Sequence, residues 1–232
     1  MRYLTILLMT LVINQLTYSQ THEIGGFIGA SNFIGDVGSS KYISPNQPAF
    51  GAIYKWNRSP RHSFRFSAVI TDLEGVDAKS DDPRRKQRGY SFTNELLELS
   101  LGIEFNFLEF DLHEDDGKSK SSPFIYSGVS YFRYDNYYYN AAGLRTFEKA
   151  NSYAFAIPIV IGYKTTFTDK IIAAMEIGAR YTFTDEIDGS VPNDQALVSS
   201  FAFGNVNNND WYVFTGLTLT VTFGRKPCFC VF

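Results

Sequence analysis

Glu95-Leu96-Leu97-Glu98-Leu99-Ser100-Leu101-Gly102-Ile103-Glu104-Phe105-Asn106-Phe107-Leu108-Glu109 is the stretch that decides the fold. Leu97, Leu99, Leu101, Ile103, Phe105 and Phe107 share one face, and Glu98, Ser100, Gly102, Glu104 and Asn106 share the other. A period of two is that of an extended strand, here with one apolar and one polar, charged face. The rule returns in Ile171 to Phe183, where Ile171, Ala173, Met175, Ile177, Ala179 and Tyr181 oppose Glu176, Gly178, Arg180 and Thr182. From Trp211 to Phe223 it sets Trp211, Val213, Leu217, Leu219, Val221 and Phe223 against Gly216, Thr218, Thr220 and Thr222. These runs exceed the five or six residues usual in globular strands and suit a tilted membrane crossing of about ten residues.

Working outward, strands are expected at about 22–36, 47–57, 62–73, 92–110, 123–138, 152–168, 170–186 and 210–224. Eight is an even number, which returns both ends of a barrel to the periplasm. The connections after strands two and six are short (Asn57 to Arg61, Phe167 to Lys170), and those after strands one, three, five and seven are longer. One junction departs from this alternation: the run from His113 to Lys120 is long for a periplasmic turn. The expected fold class is all-β, an eight-stranded antiparallel transmembrane β-barrel of the outer membrane with a short periplasmic C-terminal tail.

The beginning of the chain reads as a signal peptide. Arg2 precedes an apolar run from Leu4 to Ile13, and Thr17-Tyr18-Ser19 offers small residues at the cleavage positions. The expected organisation is residues 1–19 signal peptide, 20–224 barrel and 225–232 periplasmic tail. Removing the signal leaves 20 basic against 24 acidic residues, a net charge of −4. No later apolar stretch is long enough for a helical span, the longest (Tyr153 to Tyr163) being eleven residues with Pro158 inside it.

Composition narrows the functional classes. With 44% hydrophobic and 19% charged residues the chain is neither disordered nor collagen-like. Aromatic residues are plentiful (21 Phe, 15 Tyr, 2 Trp), whereas 3 His, 3 Met and 2 Cys leave little material for metal binding or acid–base chemistry. A net charge of −3 over the whole chain argues against a nucleic-acid partner, which demands a dense basic face. His22, His62 and His113 stand in no visible Ser/Asp constellation, and the pairs Asp81-Asp82 and Asp115-Asp116 read as solvated turns. No cofactor, metal or catalytic residue is expected, and the protein is not expected to be an enzyme.

The polar faces carry Lys55, Arg65, Glu98, Glu104, Glu176 and Arg180, three charges of each sign. Inside a narrow membrane barrel opposite charges satisfy one another, so these residues are read as structural filling of the interior. Tyr131, Tyr134, Tyr137-Tyr138-Tyr139, Tyr153, Tyr163, Tyr181, Trp56 and Trp211 crowd the strand ends and are read as interfacial girdles. A carbohydrate-stacking platform in an exposed 137–139 loop is the alternative use of those rings. Four basic residues, Arg84, Arg85, Lys86 and Arg88, form a local positive patch, a solvated loop or a contact to anionic lipopolysaccharide.

The tail, Gly224-Arg225-Lys226-Pro227-Cys228-Phe229-Cys230-Val231-Phe232, holds both cysteines. Cys-x-Cys supplies two ligands, too few for a structural zinc site, and a bond between positions i and i+2 is strained. Its two readings are a local disulfide without a role and a docking element built on Arg225, Lys226, Cys228 and Cys230.

Residues Glu23 to Gly38 (EIGGFIGASNFIGDVG), Tyr54-Lys55-Trp56-Asn57 with Arg61 and Arg65, Ser91-Phe92, Glu98-Leu99-Ser100 and Glu104-Phe105-Asn106-Phe107 occur in an order that, with the tail Gly224 to Cys230, resembles the PorG family. PorG is a barrel component of the type IX secretion system of Bacteroidetes, and the similarity runs over essentially the whole mature chain. The stretch His113 to Ser119 and the ending Val231-Phe232 are not matched. The resemblance implies an outer-membrane barrel that associates with the periplasmic ring of the PorK lipoprotein and PorN, called GldK and GldN in gliding members, without turning over a substrate. Expected partners are thus that ring, outer-membrane lipids and lipopolysaccharide. The rival classes are an autonomous barrel enzyme acting on lipid and a surface-binding or adhesion barrel.

Overall fold

The computed structural model describes residues 21–112, 119–205 and 208–224. The expected signal peptide, the tail from Arg225 to Phe232, and His113 with Asp115 and Asp116 lie outside the described residues. Eight strands run β1 Thr21–Ile34, β2 Gln47–Asn57, β3 His62–Val76, β4 Ser91–Asn106, β5 Ser121–Tyr139, β6 Arg145–Thr166, β7 Ile171–Thr182 and β8 Trp211–Phe223. Each is antiparallel to the next, and β8 pairs with β1 from His22↔Phe223 to Ile34↔Trp211, so the sheet closes as a barrel without edges. The fold class is as expected: a closed eight-stranded antiparallel barrel of transmembrane type.

The alternation sets which face looks where. Along β6 the outward residues Tyr153, Phe155, Ile157, Ile159, Ile161 and Tyr163 are all exposed, while Ala156, Val160 and Lys164 between or beside them are buried. The two tyrosines are ten residues apart, roughly 33 Å of strand at about 3.3 Å per residue. At a tilt of about 40° that is a belt some 25 Å tall, the height of a barrel's apolar band. Ile28, Leu101, Met175 and Leu219 continue this belt around the wall with about three-fifths of their surface bare. Among the described residues no helix is long and apolar enough to cross a membrane.

The two ends differ. At one, here called the turn end, β2–β3 and β6–β7 join through tight turns in which Arg58 and Ser59 N–H donate to the His62 carbonyl and Phe167 N–H to that of Ile171. β4 stops at Asn106 rather than near 110, because the chain folds under the barrel: Phe107 N–H donates to the Pro123 carbonyl and Phe110 N–H to that of Pro60. This seats the Phe110 ring 4.6 Å from Lys164 Nζ, closing the lumen from below.

At the loop end the strands outrun the belt. β6 begins at Arg145, seven residues before the expected start, and meets β5 in a tight turn where Gly143 (φ +72) takes the left-handed conformation. Arg145, Glu148 and Lys149 conceal this strand from the sequence, since above the membrane nothing requires an apolar outward face. Two helices that the sequence pattern did not suggest also lie here, α1 Pro83–Arg88 and α2 Gln195–Phe201. Asp82 and Asp194 cap them, each accepting from the backbone N–H two residues on.

Candidate functional site

The turn-end half of the lumen is a network of charges. Glu104 on β4 is its hub, accepting at Oε1 from Lys55 of β2 at 2.9 Å and from Lys164 of β6 at 2.8 Å. Arg65 of β3 lies 3.6 Å from the same carboxylate and reaches across the barrel to Glu176 on β7, gripping it with two bonds of 2.8 and 2.7 Å. Such a fork is the strongest geometry a guanidinium offers a carboxylate. Higher up, Arg180 Nε donates to Glu98 at 3.2 Å and Tyr212 donates to the same oxygen at 2.6 Å. Gly178 keeps this space open, because a Cβ there would stand 2.6 Å from Arg180 Nη1.

All six charges singled out in the sequence thus point into the lumen and are buried. Two more were missed, Lys164 and Glu23, the latter holding Asn57 Nδ2 at 2.7 Å and Thr220 Oγ1 at 2.9 Å. Both were open to the period-two rule: Lys164 follows outward Tyr163, and Glu23 precedes outward Ile24. With them the lumen holds, among the described residues, Glu23, Glu98, Glu104 and Glu176 against Lys55, Arg65, Lys164 and Arg180, equal numbers of each sign. Buried charge is tolerable when paired in this way.

Above the charges lies an aromatic layer. Phe33, Phe92, Phe132, Tyr134, Tyr137, Tyr139, Tyr212 and Phe214 are buried within one cluster. This corrects the girdle reading of Tyr134, Tyr137 and Tyr139 and removes the exposed platform. A register shift against β6 around Asn136 leaves both Asn136 and Tyr137 buried, and the ring hydroxyls end on the carbonyls of Ile187 and Ser91. Tyr131, Tyr153 and Tyr163 do face outward, and Tyr131 stacks on Tyr153 at 5.4 Å.

Three loops cover this layer. Asp77 accepts from Gly38 N–H at 2.8 Å, Tyr90 N–H at 3.0 Å and twice from Arg88, at 2.7 and 2.9 Å. Arg88 also donates to the Asp36 carbonyl, and Arg85 to those of Gly35 and Gly38. Arg85 and Arg88 are therefore structural staples; of the basic run, Arg84 pairs with its own cap Asp82 and Lys86 is exposed. From the β7–β8 loop, Asp188 takes the N–H groups of Asp36 and Val37 at 2.8 Å each, and Ile187 is wholly buried with its N–H on Asp210. Gly204 (φ +81) allows the loop to approach Asp36, where a Cβ would be 2.2 Å from the carboxyl carbon.

Burial lifts the Asp188 and Asp210 carboxyls above the ordinary range, helped by neighbouring Asp36, and pushes Asp185 up to about 8. Among the described residues no group of three or more His, Cys, Asp or Glu side chains is placed to hold a metal ion. His22 stacks on Phe223 and bonds Tyr54 at 2.8 Å, and His62 rests against Phe105, both at the turn end of the outer wall. The docking candidates Arg225, Lys226, Cys228 and Cys230 lie outside the described residues.

A model described as a domain of unknown function, DUF6089, matches residues 1–232. The chain belongs to this family. Compared with curated proteins it has no match. Among solved structures it is similar to the N-terminal β-barrel domain of Pseudomonas aeruginosa OprF, at 12% identity and a TM-score of 0.45, covering 88% of this chain and 99% of that one. It is also similar to neisserial surface protein A, at 10% and 0.43 over 89% and 96% of the two chains. The outer membrane protein OprG of Pseudomonas aeruginosa gives 6% and 0.42 over 90% and 98%.

Proposed function

We propose that this member of the DUF6089 family is an outer-membrane component of the type IX secretion system that anchors and positions the periplasmic ring, and that it is not an enzyme. The observation that carries the non-catalytic part is the filled interior: paired charges below, aromatic rings above, and loops across the top. Work then falls to the outside of the barrel and its ends. The secretion role rests on the sequence likeness of residues 23–38, 54–65, 91–107 and 224–230 to the PorG family. In this reading the turn end faces the periplasm, and the tail after Phe223, with Arg225, Lys226, Cys228 and Cys230, meets a ring of PorK/GldK and PorN/GldN. Phe107, Leu108 and Phe167 are exposed at that same end and would seat in headgroups or against the ring.

Affinity purification of the tagged full chain from solubilised outer membranes tests it. The ring proteins should co-purify, and deletion of the gene should halt export of many cargo proteins together. Removing residues 226–232 should leave a folded barrel that captures less ring. Capture of no ring protein, with export intact in the deletion strain, would sink the proposal in favour of a surface-binding barrel.

A further inference from the structure

The loop end buries carboxylates faster than it supplies cations. Asp36 just after β1, Asp77 directly after β3, and Asp185, Glu186, Asp188 and Asp210 between β7 and β8 converge there. Facing them are Arg88 from the β3–β4 loop, Arg85 beside it, and Arg145 from β6, with Tyr134, Tyr137 and Tyr139 of β5 between. Arg88 is gripped by Asp77, Arg85 is committed to two carbonyls, and Arg145 lies over the Tyr137 ring. Asp188 and Asp210 are fully buried; among the described residues neither forms an ion pair, and Arg88, whose charge Asp188 feels, is held by Asp77. Hydrogen bonding leaves a gap as well. One oxygen of Asp210 accepts from Ile187 N–H at 3.0 Å, but its Oδ1, pressed against Gly35, has no hydrogen-bond partner among the described residues, and neither has Asp185 Oδ2. A buried carboxylate oxygen with neither donor nor cation costs most when charged.

We propose that the cap is a proton-held latch, in which Asp185, Asp188 and Asp210 retain at least one proton between them and its loss to bulk water releases the β7–β8 loop from the barrel mouth. The raised carboxyls fix the sign. The folded cap binds a proton that the open loop sheds, so latch stability is complete below the ordinary carboxylate range and drains away as pH climbs through about 8.

Hydrogen exchange of the full-length protein in detergent, normalised to intrinsic amide rates, reads this directly. Between about pH 6 and pH 9 the opening constant of residues 183–205 should rise by up to tenfold per pH unit for each proton shed, while β2 and β3 stay level. Asp210→Asn, a neutral isostere, should flatten the profile; Asp185→Asn serves if that variant fails to fold. An infrared carboxylic-acid band present at the lower pH and absent at the higher should accompany the change. A flat profile in the unmodified protein, a slope that persists in both variants, or protection at high pH restored by millimolar Ca²⁺ would each overturn the latch, the last by giving the neutralising role to a cation.

Discussion

The lumen and the cap are both buried and both charged, yet they settle the cost of buried charge in opposite ways. In the lumen four carboxylates face four bases, and Arg65 spans from β3 to β7 to complete one pair. In the cap the carboxylates outnumber their cations and instead collect backbone N–H groups, as Asp188 does from Asp36, Val37 and Ser190. The first solution matches the carboxylates of Glu98, Glu104 and Glu176 with bases inside the wall itself. The second makes closure conditional, since an N–H donor eases a charge without cancelling it.

The comparison breaks most sharply at Glu104. Glu104→Leu leaves Lys55 and Lys164 buried without a counter-charge, the kind of loss worth about 3–5 kcal/mol. Unfolding of the variant in urea and detergent, followed by gel mobility without heating, should show that cost; a change below about 1 kcal/mol would mean that water reaches the lumen. Arg180→Leu should cost less, because Tyr212 still donates to Glu98. The unmodified barrel should carry no steady single-channel current in a planar bilayer.

Ile187→Ala probes the cap in the same terms. Ile187 is fully buried beneath the loops, and its carbonyl takes Asn94 Nδ2 at 2.9 Å and the Tyr137 hydroxyl at 3.0 Å. Truncation should cost about 2–4 kcal/mol of local closure, read as faster exchange in 183–205 with β2 and β3 unmoved. Equal loosening of lumen and cap would show that the two are one cooperative unit.

How much of this was legible follows from where a residue sits. Inside the membrane the solvent fixes the pattern, so the barrel, most strand limits and charges such as Glu98 and Arg180 could be read from parity alone. Glu23 and Lys164 obeyed the same rule and were overlooked. Beyond the belt the rule lapses. The first turns of β6 alternate no apolar face, and Tyr137 is buried because loops from elsewhere in the chain cover it. Asp77, Asp188 and Asp210 resemble ordinary loop aspartates; only the meeting of the segments after β1, β3 and β7 buries them. No local signal encodes such a meeting.

The smallest expected effect sharpens the contrast within the cap itself. Asp82 is also a loop-end aspartate, but it stands in water as the cap of α1, accepting from Arg84 N–H at 2.8 Å and pairing with the Arg84 side chain. Those contacts hold its carboxyl below the ordinary range, opposite to Asp210. A depressed carboxyl contributes above its unfolded pKa and loses that contribution as pH falls through the folded value. α1 should therefore fray in acid, where the β7–β8 latch is tightest, and the two segments should show exchange profiles of opposite slope. Asp82→Ala should remove the acid-side slope from residues 83–89 and leave residues 183–205 unchanged. Global unfolding should hardly move, because α1 buries none of its own side chains. If the substitution instead loosens the β7–β8 loop, α1 is part of the latch and the staples from Arg85 and Arg88 carry the coupling.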